Sequence, residues 1–258
     1  MRRSSTDRRH FITVGVLVAV VTVLLYWLLY QALPLPVQAS SQAVDIDWLF
    51  QAHMILLSFL FALVVVFMVY AIVVFRRRKG QEHMEGEHFE GNTPLEIAWT
   101  TIPLVVVVIF AYMGVTSLRD VTAPAENEMV VGVVGRQWSW TFTNEETGTP
   151  DVELVVPVNQ PIRLEMEAAD VLHSFWVPEF RVKKDLVPGQ TTVVRFTPTL
   201  EGEFSVVCAE ICGLSHYTMV APVRVVSEAE FAAWVGEQLA ATGGQSLVQG
   251  AAGQDSSN

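Results

Sequence analysis

The segment CAEICGLSHYTM, residues 208–219, holds both cysteines of the chain, with His216 four residues after Cys212 and Met219 three further on. Two thiols, an imidazole and a thioether in so short a stretch can do one of three things. A disulfide would suit an oxidising compartment, but closing so small a loop removes little unfolded-state entropy and leaves His216 and Met219 unused. A zinc site could be completed by a second imidazole, and His173 in DVLHSFWVP supplies one. Zinc has no use for a thioether, however, whereas thiolate, imidazole and a weak axial methionine together are the ligand set of electron-transfer copper. A single copper of that kind needs one cysteine. A second thiolate lets two sulfurs bridge two metals, with His173 and His216, Met219 and a backbone carbonyl completing the pair. All three readings stay open on the residues alone.

These ligands must be held by a β-domain. Segments 129–135, 137–143, 152–157, 162–167, 191–197 and 203–208 are short and rich in β-branched and aromatic residues. Turn signals such as Asn159-Gln160-Pro161, Pro188-Gly189 and Glu201-Gly202 separate them, which predicts a β-sandwich or small Greek-key barrel. The metal loop follows the last of these strands, and His173 sits on a neighbouring strand or turn. A short helix is expected over Glu228–Ala240 with Ser227 as its N-cap, and a disordered tail over 241–258.

Upstream lie three apolar runs, 11–33, 48–75 and 94–118, each long enough to cross a bilayer core as a helix. Arg76, Arg77, Arg78 and Lys79 place the 76–93 loop on the cytoplasmic side, and residues 119–240 therefore lie outside. Residues 1–39 read equally as a signal peptide, with Val37-Gln38-Ala39 before Ser40 as the cleavage motif, or as an additional membrane helix. Residues 40–118 form a transmembrane hairpin in either case. The chain carries a net charge of −11, and all of that excess falls after Leu118. A face of that sign steers a basic partner. Two carboxylate-rich features remain on the cytoplasmic side. His83 and His88 lie in an acidic loop with no fixed ligand spacing. Glu96, at the start of the third run, is either a helix-dipole carboxylate or a point of proton uptake.

From about Asp47 to Val226 the chain resembles subunit II of haem–copper cytochrome c oxidases. The resemblance is carried by NTPLEIAWTTIP, GRQWSW, DVLHSFWVPEFRVKKDLVPGQ and CAEICGLSHYTM. It implies a membrane-anchored all-β protein: two or three N-terminal transmembrane helices, then a cupredoxin-like Greek-key barrel. It further implies that Cys208 and Cys212 bridge a binuclear copper centre, completed by His173 and Met219 on one metal and by His216 and the Glu210 carbonyl on the other. The Glu210 side chain would reach a magnesium ion shared with subunit I. Trp138 would receive the electron, Asp170 would sit on the donor's docking face, and Glu96 would stand at the mouth of a proton channel. The implied partners are subunit I with its haems, subunit III, cytochrome c or a similar small donor, and the lipid bilayer, with no nucleic acid. The implied location is the cell (inner) membrane of a prokaryote, with the copper domain on the periplasmic side.

Departures from the family pattern are local. Ser139 stands between Trp138 and Trp140 where tyrosine is common, Met219-Val220-Ala221-Pro222 replaces Met-Pro, and Pro188-Gly189-Gln190 replaces P-G-R. A quinol oxidase subunit would lack Cys208, Cys212, His173 and His216. A nitrous oxide reductase copper domain would be soluble and follow a large catalytic domain, while a membrane-anchored zinc or copper-delivery module is the non-enzyme alternative.

Overall fold

The computed structural model describes residues 5–77, 79–80, 83 and 90–252. Arg78, His88 and half of the loop expected over 76–93 lie outside the described residues. The chain divides into a helical unit, Met1–Leu35 with Asp47–Thr116, and a β unit, Pro36–Ile46 with Ser117–Asn258.

Three helices, α1 (Ser5–Ala32), α2 (Ser41–Val74) and α3 (Thr93–Thr122), are long and apolar enough to cross a membrane. α2 starts well before the apolar run at 48 because Ser40 caps it, its hydroxyl accepting from the Ala43 amide at 3.1 Å. α3 is opened by Asn92, whose Oδ1 accepts from the Leu95 amide at 3.2 Å, with Pro94 in the first turn. It runs past 118 to Thr122, and Arg119 in its last turn suits the negative end of the helix dipole. Within the helical unit α1 lies against α2 through Val14, Val18, Ala62 and Val66.

The β unit holds β1 (Met129–Arg136), β2 (Ser139–Asn144), β3 (Pro150–Asp151), β4 (Leu154–Pro157) and β5 (Ile162–Ala168). It continues with β6 (His173–Val177), β7 (Val182–Leu186), β8 (Thr192–Phe196), β9 (Gly202–Cys208) and β10 (Val220–Val226). They form two five-stranded sheets, ordered β3-β2-β1-β5-β8 and β4-β10-β9-β6-β7. Each sheet mixes antiparallel neighbours with one parallel pair, β1 with β5 and β10 with β4. Between the sheets Trp140, Leu164, Met166, Phe175, Phe180 and Phe196 are almost completely buried, an apolar core that fixes both faces. The edge strand β7 exposes Lys183, Lys184 and Asp185, charges that discourage pairing with another chain.

A capping box starts α4 (Glu228–Ala252): the Glu230 amide donates to the Ser227 hydroxyl at 3.3 Å and the Ser227 amide to the Glu230 carboxylate at 3.1 Å. The helix continues beyond Ala240, where the sequence places its end. In the structure it runs through Gly243 and Gly244 to Ala252, and of the tail expected over 241–258 only residues 253–258 fall outside the described chain.

Candidate metal centre

The register of two strands brings the distant histidine to the cysteine loop. In the β6–β9 pair Phe175 lies opposite Cys208 and Trp176 opposite Val207, so His173, at the start of β6, stands beside the end of β9. The Ala209 amide donates to the Ser174 carbonyl at 2.9 Å and closes the ladder just past the cysteine. Opposite the imidazole, Gly135 leaves the space a side chain would fill: a Cβ there would meet His173 at 3.3 Å and Leu186 at 3.1 Å.

The loop then folds back on itself. A short 3-10 turn, His216–Thr218, returns the chain to β10, and the Cys208 amide donates to the Met219 carbonyl at 3.0 Å. The sulfurs of Cys208 and Cys212 stand 3.8 Å apart, well beyond the roughly 2.05 Å of a disulfide. Around them, His173 Nδ1 lies 3.9 Å and the Glu210 carbonyl 3.2 Å from Cys208 Sγ. On the other side His216 Nδ1 lies 3.6 Å and Met219 Sδ 3.7 Å from Cys212 Sγ. One ligand atom each from His173, Cys208 and Cys212 fits within 4.8 Å, and all three residues are buried. Six donor atoms therefore converge with no sulfur–sulfur bond between them.

The donor set fits a soft metal: two thiols 3.8 Å apart, with imidazole, thioether and carbonyl donors around them, would hold copper and supply one-electron chemistry. Without metal the Cys212 thiol holds its proton: burial first, and then the neighbouring Cys208 thiol, pushes it up to about 11. Ligation by a cation would displace that proton.

Outside the cradle, Asp170 is engaged on both oxygens. Oδ1 accepts from His173 Nε2 at 2.8 Å and from the Val171 amide at 2.7 Å, while Oδ2 accepts from the Gln137 amide at 2.8 Å. Burial alone would raise this carboxyl, but the bonds from Gln137, His173 and Val171 outweigh it and hold its pKa at about 2. Because Nε2 faces a carboxylate, the His173 Nδ1 lone pair is the one turned to the sulfurs. Trp138, predicted from GRQWSW, is partly exposed on the connection between β1 and β2, with its indole lying against Gly213 of the metal loop. Glu96 belongs to the helical unit, where its carboxylate accepts from the Asn92 amide at 3.0 Å and helps cap α3. Sequence reasoning missed Gln137 and Gly213. The only signal was their adjacency to Trp138 and Cys212.

Two mixed sheets carrying a buried dithiolate cradle, joined to apolar helices, define a cupredoxin-like domain on a membrane anchor. Comparison with known proteins names the family. Residues 26–119 match the transmembrane domain of cytochrome c oxidase subunit II, and residues 146–226 match its periplasmic domain. Cytochrome c oxidase subunit 2 of Synechocystis sp. is 32% identical over 263 residues, an alignment covering 84% of this chain and 79% of the relative. The same subunit of Thermostichus vulcanus is 33% identical, with coverages of 86% and 83%. The crystallised periplasmic domain of subunit II from Bradyrhizobium japonicum is 33% identical, with a TM-score of 0.42, and the match covers 44% of this chain and 95% of that one. The chain belongs to the cytochrome c oxidase subunit II family. It is a membrane-anchored subunit of an oxidoreductase complex.

Proposed function

We propose that the chain receives electrons, one at a time, from cytochrome c or a similar small donor and relays them to haem in subunit I, where oxygen is reduced to water with proton translocation. The observation that carries this reading is the convergence of two unbonded thiols, two imidazole nitrogens, a thioether and a carbonyl on one buried point. Cys208, Cys212, His173, His216, Met219 and the Glu210 carbonyl would hold a pair of copper ions, and Met219 within reach favours copper over zinc. Held by these residues, the copper ions would supply a one-electron store.

This chain's residues do the positioning. Asp170 fixes the tautomer and plane of His173, and its charge still faces the donor side. Trp138 presents an exposed ring edge to a donor, with its indole against the loop that carries Cys212. The acidic outer domain gives a basic donor a fast, salt-sensitive approach. Glu210 would turn its carboxylate to a magnesium ion shared with subunit I, and Glu96 would take protons from the cytoplasmic side of a prokaryotic inner membrane. Subunit III and the lipid bilayer complete the partners.

Metal analysis of the full chain in its oxidase complex tests the reading. Two coppers in this subunit and a mixed-valence electron paramagnetic resonance spectrum are expected. One zinc, or a Cys208–Cys212 disulfide in copper-supplied protein, overturns it.

A further inference from the structure

Gln137 precedes Trp138 and bonds to two chain segments, the metal loop after β9 and the turn before β6. Its side-chain Nε2 donates to the Cys212 carbonyl at 2.6 Å, and its backbone amide donates to Asp170 Oδ2 at 2.8 Å. One residue is thus tied to the metal loop by its side chain and to the His173–Asp170 pair by its backbone. Gly213 makes the close approach possible. A Cβ at Gly213 would fall 2.8 Å from Gln137 Nε2 and 3.3 Å from the Trp138 indole, at a φ of +132° that side chains rarely adopt. Gln137 is not needed to fill the core, since it is exposed. Its bonds go to the two sides of the cradle.

We infer that Gln137 is a positioning residue for electron transfer, clamping the turn that carries Trp138 onto the metal loop at Cys212, with Gly213 as the required gap. The inference rests on the copper reading above only for its electron-transfer half. The clamp itself belongs to the metal-free chain.

Gln137→Met keeps the length of the side chain and removes the donor. In metal-free full-length chain, hydroxyl-radical labelling of Trp138, read by mass spectrometry, should rise by up to about twofold, the room left above its 39% exposure. Gly213→Ala should raise it similarly by pushing Gln137 and the indole away. In the assembled, copper-loaded oxidase, Gln137→Met should slow the first-order step from bound donor by about fivefold, with the KM for donor and the copper spectrum unchanged. Unaltered labelling in both variants overturns the clamp whatever metal is bound. Raised labelling with an unaltered transfer rate overturns the positioning role. A wild-type chain without copper fails the parent reading instead, and labelling still reports on the clamp.

A second inference rests on a different region. Residues 36–46 belong to the β unit although they lie between α1 and the body of α2. Ala39 and Ser40 are fully buried. The Ala39 amide donates to the Glu179 carbonyl at 3.0 Å, its carbonyl accepts from Thr199 at 2.9 Å, and the Ser40 hydroxyl donates to the Phe180 carbonyl at 2.8 Å. Within the helical unit, His10 Nδ1 pairs with the Tyr70 hydroxyl at 2.7 Å, and the Tyr26 hydroxyl donates to Gln51 at 2.9 Å, so polar bonds tie α1 to α2 near both ends. A cut between Ala39 and Ser40 would strip a core residue from the domain and leave its partners at Glu179 and Thr199 unpaired. We propose that the chain is not cut there and that α1 persists as a third membrane span. Intact-mass and N-terminal peptide analysis of membrane-isolated protein should recover α1 joined through Ala39 and Ser40. A mature N-terminus at Ser40, or anywhere between α1 and Ser40, overturns this.

Discussion

The two halves of the candidate metal centre are built differently. His173 and Cys208 stand on paired strands, fixed by the β6–β9 register, and the imidazole is fully buried with a carboxylate behind it. Cys212 and His216 stand on a loop whose neighbours Ile211, Leu214 and Tyr217 are more than 80% exposed, and His216 is only half-buried on a short 3-10 turn. Among the described residues the His216 side chain bonds to nothing but Cys212. One half is preorganised by the sheet, whereas the other depends on the metal and on whatever covers the loop. Preorganised ligands lose less entropy on binding, and a loop left open gives a metal its way in.

The sharpest way to break the comparison is to remove a bridge. Cys208→Ser or Cys212→Ser should each abolish the mixed-valence spectrum and donor oxidation alike, because in the proposed copper centre either thiolate would serve both metals. Copper stoichiometry and spectroscopy of the assembled subunit check this. The histidines should then separate the halves. His173→Ala empties a fully buried site and is expected to destabilise the metal-free chain by about 2–4 kcal/mol. His216→Ala should cost the metal but leave metal-free stability within about 0.5 kcal/mol. Thermal unfolding of both variants, followed by the β-sheet circular dichroism, decides it. Equal losses would mean that the loop is as rigid as the strand.

Asp170→Asn probes the support behind the first half. Copper affinity is expected to fall by about 10–100-fold, the usual effect of removing a ligand's hydrogen-bonded partner, and competition against a chelator measures it. Among the described residues no comparable carboxylate stands behind His216.

The smallest effect should lie outside both halves, at the α4 cap. The backbone and side-chain bonds from Ser227 lower the Glu230 pKa, so the stabilisation it gives is present above the ordinary glutamate range and lost as pH falls through the depressed value. Glu230→Gln should flatten that acid limb of the melting curve without touching the metal spectrum.

Much of this was legible before any coordinates. The ligand loop announced itself because cysteine, histidine and methionine are chemically specific and close in sequence, and the membrane helices because lipid leaves few options for an apolar run. What escaped was set by long-range geometry. Asp170 reads as a surface acid until the β1–β2 turn is laid beside it. The start of the strand after Met219 was uncertain because Met219-Val220-Ala221-Pro222 replaces the family's Met-Pro, and Pro222 proves to sit inside that strand. β10 tolerates the proline because its ladder to β4 begins only at Val223, so no partner on that side lacks a donor. Residues 36–46 fall across the expected boundary at 39/40, and nothing local tells that Ser40 has a partner some 140 positions downstream.

That last separation has a kinetic consequence. Ala39 and Ser40 leave the ribosome long before Glu179, Phe180 and Thr199 exist, so the segment must wait, exposed, until the sheets that bury it have been made. Contacts of such span are closed late and slowly, and each carries a loop-closure cost that local pairs avoid. The outer domain should therefore refold more slowly, and less completely, when residues 36–46 are supplied on a separate piece of chain. A soluble version begun at residue 120 would lack its final closing step.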